Sequence, residues 1–168
     1  LGLEGTGTFT PKLQNFPNGC HVCEVEVDPE TGDVDILAYT AVDDVGRAIN
    51  PLLLGGQVHG GIAQGVGQAL MENLVYDEAT GQLLAASFLD YCMPRADDLP
   101  SIKVGHHDVP TKGNPLGVKG AGEAGTTGAT PAVINAILDA LRPLGVRDLQ
   151  MPATPQAVWR AIASARPN

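Results

Sequence analysis

The chain has 168 residues, 43% of them hydrophobic, with a net charge of −9, 21 glycines and 13 prolines. That length suits one domain with a buried core, and the hydrophobic share excludes a disordered composition. With no run of Lys or Arg, the acidic balance argues against nucleic-acid binding, and no apolar stretch approaches the roughly 20 residues that a spanning helix needs.

The first residues, from Leu1 to Gly7, show no basic region followed by an apolar one, so no secretory signal is read there. The absence of a start methionine fits a fragment or processed product of a longer subunit. Three cysteines without a secretory signal do not suggest a disulfide framework, and a cytoplasmic protein is expected.

In chain order, Leu3 to Thr10 alternates weakly and predicts a strand, followed by a loop rich in Pro and Asn up to Gly19. Val22, Glu24 and Glu26 then alternate with Cys23, Val25 and Val27, Asp28 to Asp33 has hairpin-turn residues, and Val34, Ile36, Ala38, Thr40 and Val42 continue as the return strand. Val58, Ile62, Val66, Ala69 and Leu70 recur at helical spacing and predict a helix over 55–73. Its interior glycines each cost up to about 1 kcal/mol relative to alanine, which points to close approach by another backbone or by a ligand.

A second hairpin is predicted over 75–87 around Asp77 to Gly81, an irregular stretch over 93–100, and a strand over 102–109. A Gly- and Pro-rich loop over 111–122 leads to a second helix, 124–141, with Val133, Ile134, Ile137, Leu138 and Leu141 as its apolar stripe and Pro143 and Gly145 as its stop. Thr154-Pro155 opens a short terminal helix through Ala163. The fold class that follows is α+β: antiparallel hairpins packed against two main helices plus a short C-terminal helix, as a single domain over 1–168.

Two stretches invite a chemical reading. In Gly117 to Gly128 a loop delivers one carboxylate, Glu123, to the start of a helix, where backbone N–H groups favour anions. From residue types alone, a Glu that merely complements the helix dipole is the commoner outcome. Gly120, Gly122 and Gly125 fit the dinucleotide spacing G-x-G-x-x-G, but Asn114 to Gly117 is no central strand and a carboxylate inside the turn would repel a pyrophosphate, so that reading is rejected. In Gly55 to Leu70, Gln57 offers an amide donor and acceptor near a helix start, which suits a flat heterocycle, and tight helix packing explains the surrounding glycines equally well. Cys20-His21-Val22-Cys23 is a lone C-x-x-C whose cysteines point to opposite faces of a strand, and His106-His107 diverge likewise, so none of these is read as a metal ligand.

Taken together, Val42 to Pro51, Gly55 to Gly65, Tyr91 to Pro100, Gly117 to Gly125 and Met151 to Trp159 resemble, in order, the C-terminal part of the large subunit of molybdenum hydroxylases, the family of xanthine dehydrogenase, aldehyde oxidase and carbon monoxide dehydrogenase. The resemblance implies a molybdenum–pterin cofactor, with the cytosine dinucleotide among its forms. Glu123 would be the general base that deprotonates a water-derived hydroxide, whose oxygen then attacks an electrophilic substrate carbon. Gln57 would hydrogen-bond the pterin, with Gly56, Gly120, Ala121 and Gly122 bringing backbone close to it. The pterin holds the metal, so no side-chain ligand to it is expected.

The implied partners are the remainder of the large subunit, iron–sulfur and flavin (FAD) subunits that carry electrons away, and a small-molecule substrate. That substrate is an aldehyde, an N-heterocycle or carbon monoxide, and the resemblance does not choose among them. Large subunits of the family are far longer than this chain, so the fragment alone is expected to be inactive. The alternative is a non-catalytic fragment or a stand-alone ligand- or partner-binding domain that keeps the fold. Cys20 and Cys23 stand where small residues are expected.

Overall fold

The computed structural model describes residues 2–165. Strands β1 (Asn18–Val27) and β2 (Val34–Asp44) form the antiparallel pair expected from their alternation. At their turn the Asp28 carboxylate accepts hydrogen bonds from the Glu30 N–H and the Thr31 hydroxyl, both at 2.8 Å. His21, Cys23, Val25 and Val27 turn inward on β1, leaving Cys20 exposed on the outer side. Cys23 is therefore a core residue, and burial pushes its thiol up to about 11.

Strand β2 departs from simple alternation. Glu24 pairs with Ala38 but Val25 pairs with Ile36, so Leu37 is an extra residue in a β-bulge. The bulge reverses the phase. Val34 and Ile36 face inward before it; after it Tyr39, Ala41 and Asp43 do, while Thr40 and Val42 face outward. A third strand, β3 (Ile102–His106), pairs with β2 in parallel, and the sheet order is β1-β2-β3.

Two predicted strand regions hold less structure than expected. Residues 3–10 have no regular structure and are exposed throughout. The weak alternation there has no core face to bury, and a strand is not stable without one. The second hairpin reduces to one bridge, Tyr76 to Leu83, around the Asp77 turn, because Leu84 and Phe88 beyond it remain exposed. The irregular segment contains a single 3-10 turn at Ala96–Asp98.

Helix α1 spans Pro51–Leu70, one turn earlier than the apolar spacing indicates. Asn50 sets its start: the side-chain oxygen accepts from the Leu53 N–H at 3.2 Å, and Pro51 occupies the first helical position, where its missing N–H does no harm. Helix α2 (Ala124–Leu141) has the predicted bounds, buries Val133, Ile137 and Leu141, and is followed by a 3-10 turn ending at the left-handed Gly145. Helix α3 (Pro155–Ala165) is capped by Thr154, whose hydroxyl accepts from the Ala157 N–H, and contributes Val158 and Ile162 to the core.

The core lies between the inner sheet face and the three helices. Within it α1 and α2 cross backbone to backbone. A Cβ on Gly125 would lie 2.5 Å from the Val58 carbonyl oxygen and 3.0 Å from the Gly61 Cα, and one on Gly65 would lie 2.6 Å from the Ala129 Cβ. Backbone approach thus accounts for Gly61 and Gly65. Gly55, Gly56 and Gly60 of the same helix would carry Cβ atoms that meet nothing within 4 Å.

Gly125→Ala is expected to destabilise the protein by about 1–3 kcal/mol through forced separation of the two helices, while Gly55→Ala, in open space on a helix, should be neutral or stabilising by up to about 1 kcal/mol. Thermal unfolding of the two variants side by side checks this; equal losses would show that the crossing has slack.

Candidate functional site

The loop before α2 is fastened to the end of β2 by backbone and side-chain hydrogen bonds. The Gly117 carbonyl accepts from the Arg47 N–H at 3.0 Å and the Thr111 N–H at 3.2 Å, and the Lys119 N–H donates to the Val45 carbonyl at 2.9 Å. Asn114 folds its side chain onto Val118, accepting from its N–H and donating to its carbonyl. Gly46 and Gly117 both have left-handed φ values, +67° and +70°, and a Cβ on Gly46 would lie 2.2 Å from the Gly117 oxygen, so the two segments meet backbone to backbone.

One ion pair anchors this arrangement. Lys119 donates through Nζ to Asp44, whose carboxylate also accepts from the Gly46 N–H at 2.8 Å and the Val109 N–H at 3.0 Å. The Lys119 ammonium is the main reason that the Asp44 carboxyl is held at about 2; the two backbone donors add to the effect, against a smaller opposing effect of desolvation. Four residues after Lys119 the chain reaches Glu123, which stands at the N-cap position of α2 yet makes no capping hydrogen bond with its own helix.

The helix crossing brings the second sequence motif to this loop. The Gln57 Nε2 lies 3.6 Å from where Gly122 would carry a Cβ, so the amide sits directly over the loop beside Glu123. Thr126 locks the crossing by donating its hydroxyl to the Gly61 carbonyl at 2.9 Å. Gly56 and Gly120 face open space, and Ala121 is half-buried. Gln57, Gly122 and Glu123 are thus neighbours, with Gly56 and Gly120 as open margins.

A second polar group lies under the start of α2. His21 on β1 is almost fully buried; its Nδ1 is 2.8 Å from the Tyr39 hydroxyl and its Nε2 is 3.3 Å from Asp43 Oδ1. Burial first, and then the proximity of Cys23 and Asp43, pushes the Tyr39 hydroxyl well above its ordinary range. His21 and Asp43 border a cleft of about 320 Å³ together with Glu123, Thr127 and Gly128. Sequence reasoning singled out none of His21, Asp43, Asp44 or Lys119 as site residues. The available signal was a polar side chain at an inward register position, which alternation gives for His21 and which the bulge in β2 hides for Asp43.

A family model described as the molybdopterin cofactor-binding domain matches residues 1–100, and the chain belongs to that family. It is 44% identical over 160 residues to the nicotine 6-hydroxylase large subunit of Paenarthrobacter nicotinovorans, covering 95% of this chain and 20% of that protein. To the carbon monoxide dehydrogenase large chain of Hydrogenophaga pseudoflava it is 34% identical over 161 residues, covering 96% of this chain and 20% of the relative. The crystal structure of quinoline 2-oxidoreductase from Pseudomonas putida 86 superposes with a TM-score of 0.86 at 39% identity, over 89% of this chain and 19% of that one. The chain therefore spans about a fifth of the length of these relatives. No helix among the described residues is long and apolar enough to cross a membrane.

The low folded-state value at Asp44 fixes the sign of a pH effect. A depressed carboxylate stabilises the fold fully above its ordinary value of 3.8, and the contribution is lost as pH falls through about 2. Asp44→Asn is expected to lower the unfolding temperature near neutral pH, with the gap from the parent closing between those two values. A gap that persists unchanged at pH 2 would mean that the Lys119 contact contributes nothing.

Proposed function

We propose that residues 1–168 form the C-terminal portion of the large subunit of a molybdenum-dependent hydroxylase, with the pterin cofactor lying against the α1–α2 crossing and Glu123 as general base. The observation that carries this reading is the convergence of Gln57 on the Glu123 loop across the helix crossing. The site suits such a group. A pterin is flat, with donors and acceptors along its edge. Gly56, Gly60 and Gly120 leave open backbone where a side chain would stand off a ring, and the Gln57 amide supplies both a donor and an acceptor. When bound, the molybdenum–pterin group would supply the two-electron redox chemistry.

The chain's own residues then divide the work. Gly56, Gly120, Ala121 and Gly122 admit the cofactor to backbone contact, and Gln57 orients it. Glu123, uncapped and exposed to the cleft, takes the proton from the water-derived oxygen that is transferred to substrate. The Asp44–Lys119 pair and the Gly117 hydrogen bonds keep that carboxylate in place, so the base is positioned before substrate arrives.

An N-heteroaromatic substrate is favoured by the higher identities, 44% and 39%, to proteins that act on nicotine and quinoline. The remainder of the large subunit completes the substrate pocket, iron–sulfur and FAD-containing subunits take the electrons onward, and the assembly is cytoplasmic. In the cofactor-loaded enzyme that carries this chain, Glu123→Gln is expected to lower kcat by about a hundredfold or more while molybdenum content stays at the parental level. Full turnover by that variant would remove Glu123 from the base role. Gly56→Val, on an open face, should leave the fold intact and reduce bound pterin; undiminished pterin, read from its fluorescence after oxidative release, would place the cofactor elsewhere.

A further inference from the structure

Among the described residues His21 is the one enclosed imidazole, and its surroundings fix it on three sides. Its Nδ1 lies 2.8 Å from the Tyr39 hydroxyl and its Nε2 lies 3.3 Å from Asp43 Oδ1. The third side is α2. A Cβ on Gly128 would lie 2.6 Å from Nδ1 and 2.7 Å from both Cε1 and Cγ, so the helix backbone rests on the ring itself.

Asp43 is gripped in turn: a Cβ on Gly19 would lie 2.1 Å from its Oδ1, and its other oxygen, Oδ2, is buried with no hydrogen-bond partner among the described residues. An unpartnered buried carboxylate oxygen beside a buried imidazole is costly. The charged and titratable groups around the ring are Tyr39 and Asp43 on β2, Cys23 two residues on along β1, and Glu123 across the cleft at the head of α2.

We propose that His21 is a positioning residue for Glu123. Its ring, held by Tyr39 and Asp43, is the seat on which the first turns of α2 rest, and the height of that seat sets where the Glu123 carboxylate stands. The adjacent Asp43 and Asp44 then brace the base from both flanks. Asp44 acts through Lys119 on the loop that leads into Glu123, and Asp43 acts through His21 on the helix that leads away from it. The proposal rests on the reading of Glu123 as general base.

The test uses the cofactor-loaded enzyme that carries this chain. Gly128→Ala adds one methyl group against the ring and alters no polar group, so it should lift the start of α2. The expected result is a kcat lower by about tenfold to a hundredfold with KM little changed, and faster amide hydrogen exchange over residues 123–128, at parental molybdenum content. Adding His21→Asn, whose shorter side chain vacates the space, should restore part of the rate that Gly128→Ala loses. If Gly128→Ala does not fold, His21→Asn alone lowers the seat and should itself reduce kcat and speed exchange over 123–128.

Parental kcat and exchange in a folded Gly128→Ala or His21→Asn enzyme would overturn the proposal. So would a folded, molybdenum-loaded double variant no faster than Gly128→Ala. The two readings separate cleanly: full turnover by Glu123→Gln removes the base assignment, while the exchange over 123–128 still reports whether His21 seats the helix.

Discussion

The contact on which the rest of the structure depends is the backbone approach of α1 and α2 at Gly61 and Gly125. Neither residue has a side chain to hold the helices apart, and any Cβ there would collide with main-chain atoms of the opposite helix. Cores tolerate changes of volume better than they tolerate forced main-chain separation, so the approach is a strict constraint. It places Gln57, one turn before Gly61, over Gly122, three residues before the close-packed Gly125. Two segments far apart in sequence become one surface because two glycines permit contact.

Around that crossing the protein builds a rigid mount from polar groups at the end of β2. Asp44 is held ionised chiefly by Lys119, with two backbone N–H groups as further donors, so the loop before Glu123 is tied at a fixed point. Asp43, one residue earlier and on the opposite side of the strand, meets His21 instead. Because neighbouring residues on a strand face opposite ways, one Asp-Asp pair reaches both limbs of the Glu123 segment. Preorganisation of this kind would suit the general-base role proposed for Glu123.

Much of this was legible in the sequence, where local chemistry decides structure. Helix α2 has its expected bounds because a glycine-rich loop, an apolar stripe and a Pro/Gly stop agree. The β1–β2 pair follows from alternation and a strong turn at Asp28. Helix α1 starts one turn before its apolar spacing begins, because the Asn50-Pro51 cap and not the apolar stripe sets its first turn. The extra residue at Leu37 was invisible, since a bulge changes phase without changing composition, and it concealed Asp43 as an inward-facing residue. The strand expected over residues 3–10 failed for lack of a buried face, which only tertiary context supplies. The Gln57–Glu123 pairing of motifs came from family resemblance; the Asp44–Lys119 tie and the His21 seat needed three-dimensional contacts.

The central claim is that this chain forms one wall of a molybdenum–pterin site. The direct measurement is the molybdenum and pterin content of the native protein that carries it, determined together with the intact mass of the polypeptide. The account predicts one molybdenum and one pterin per chain, in a polypeptide well above the 17.4 kDa of these residues. A folded native protein without pterin would contradict it.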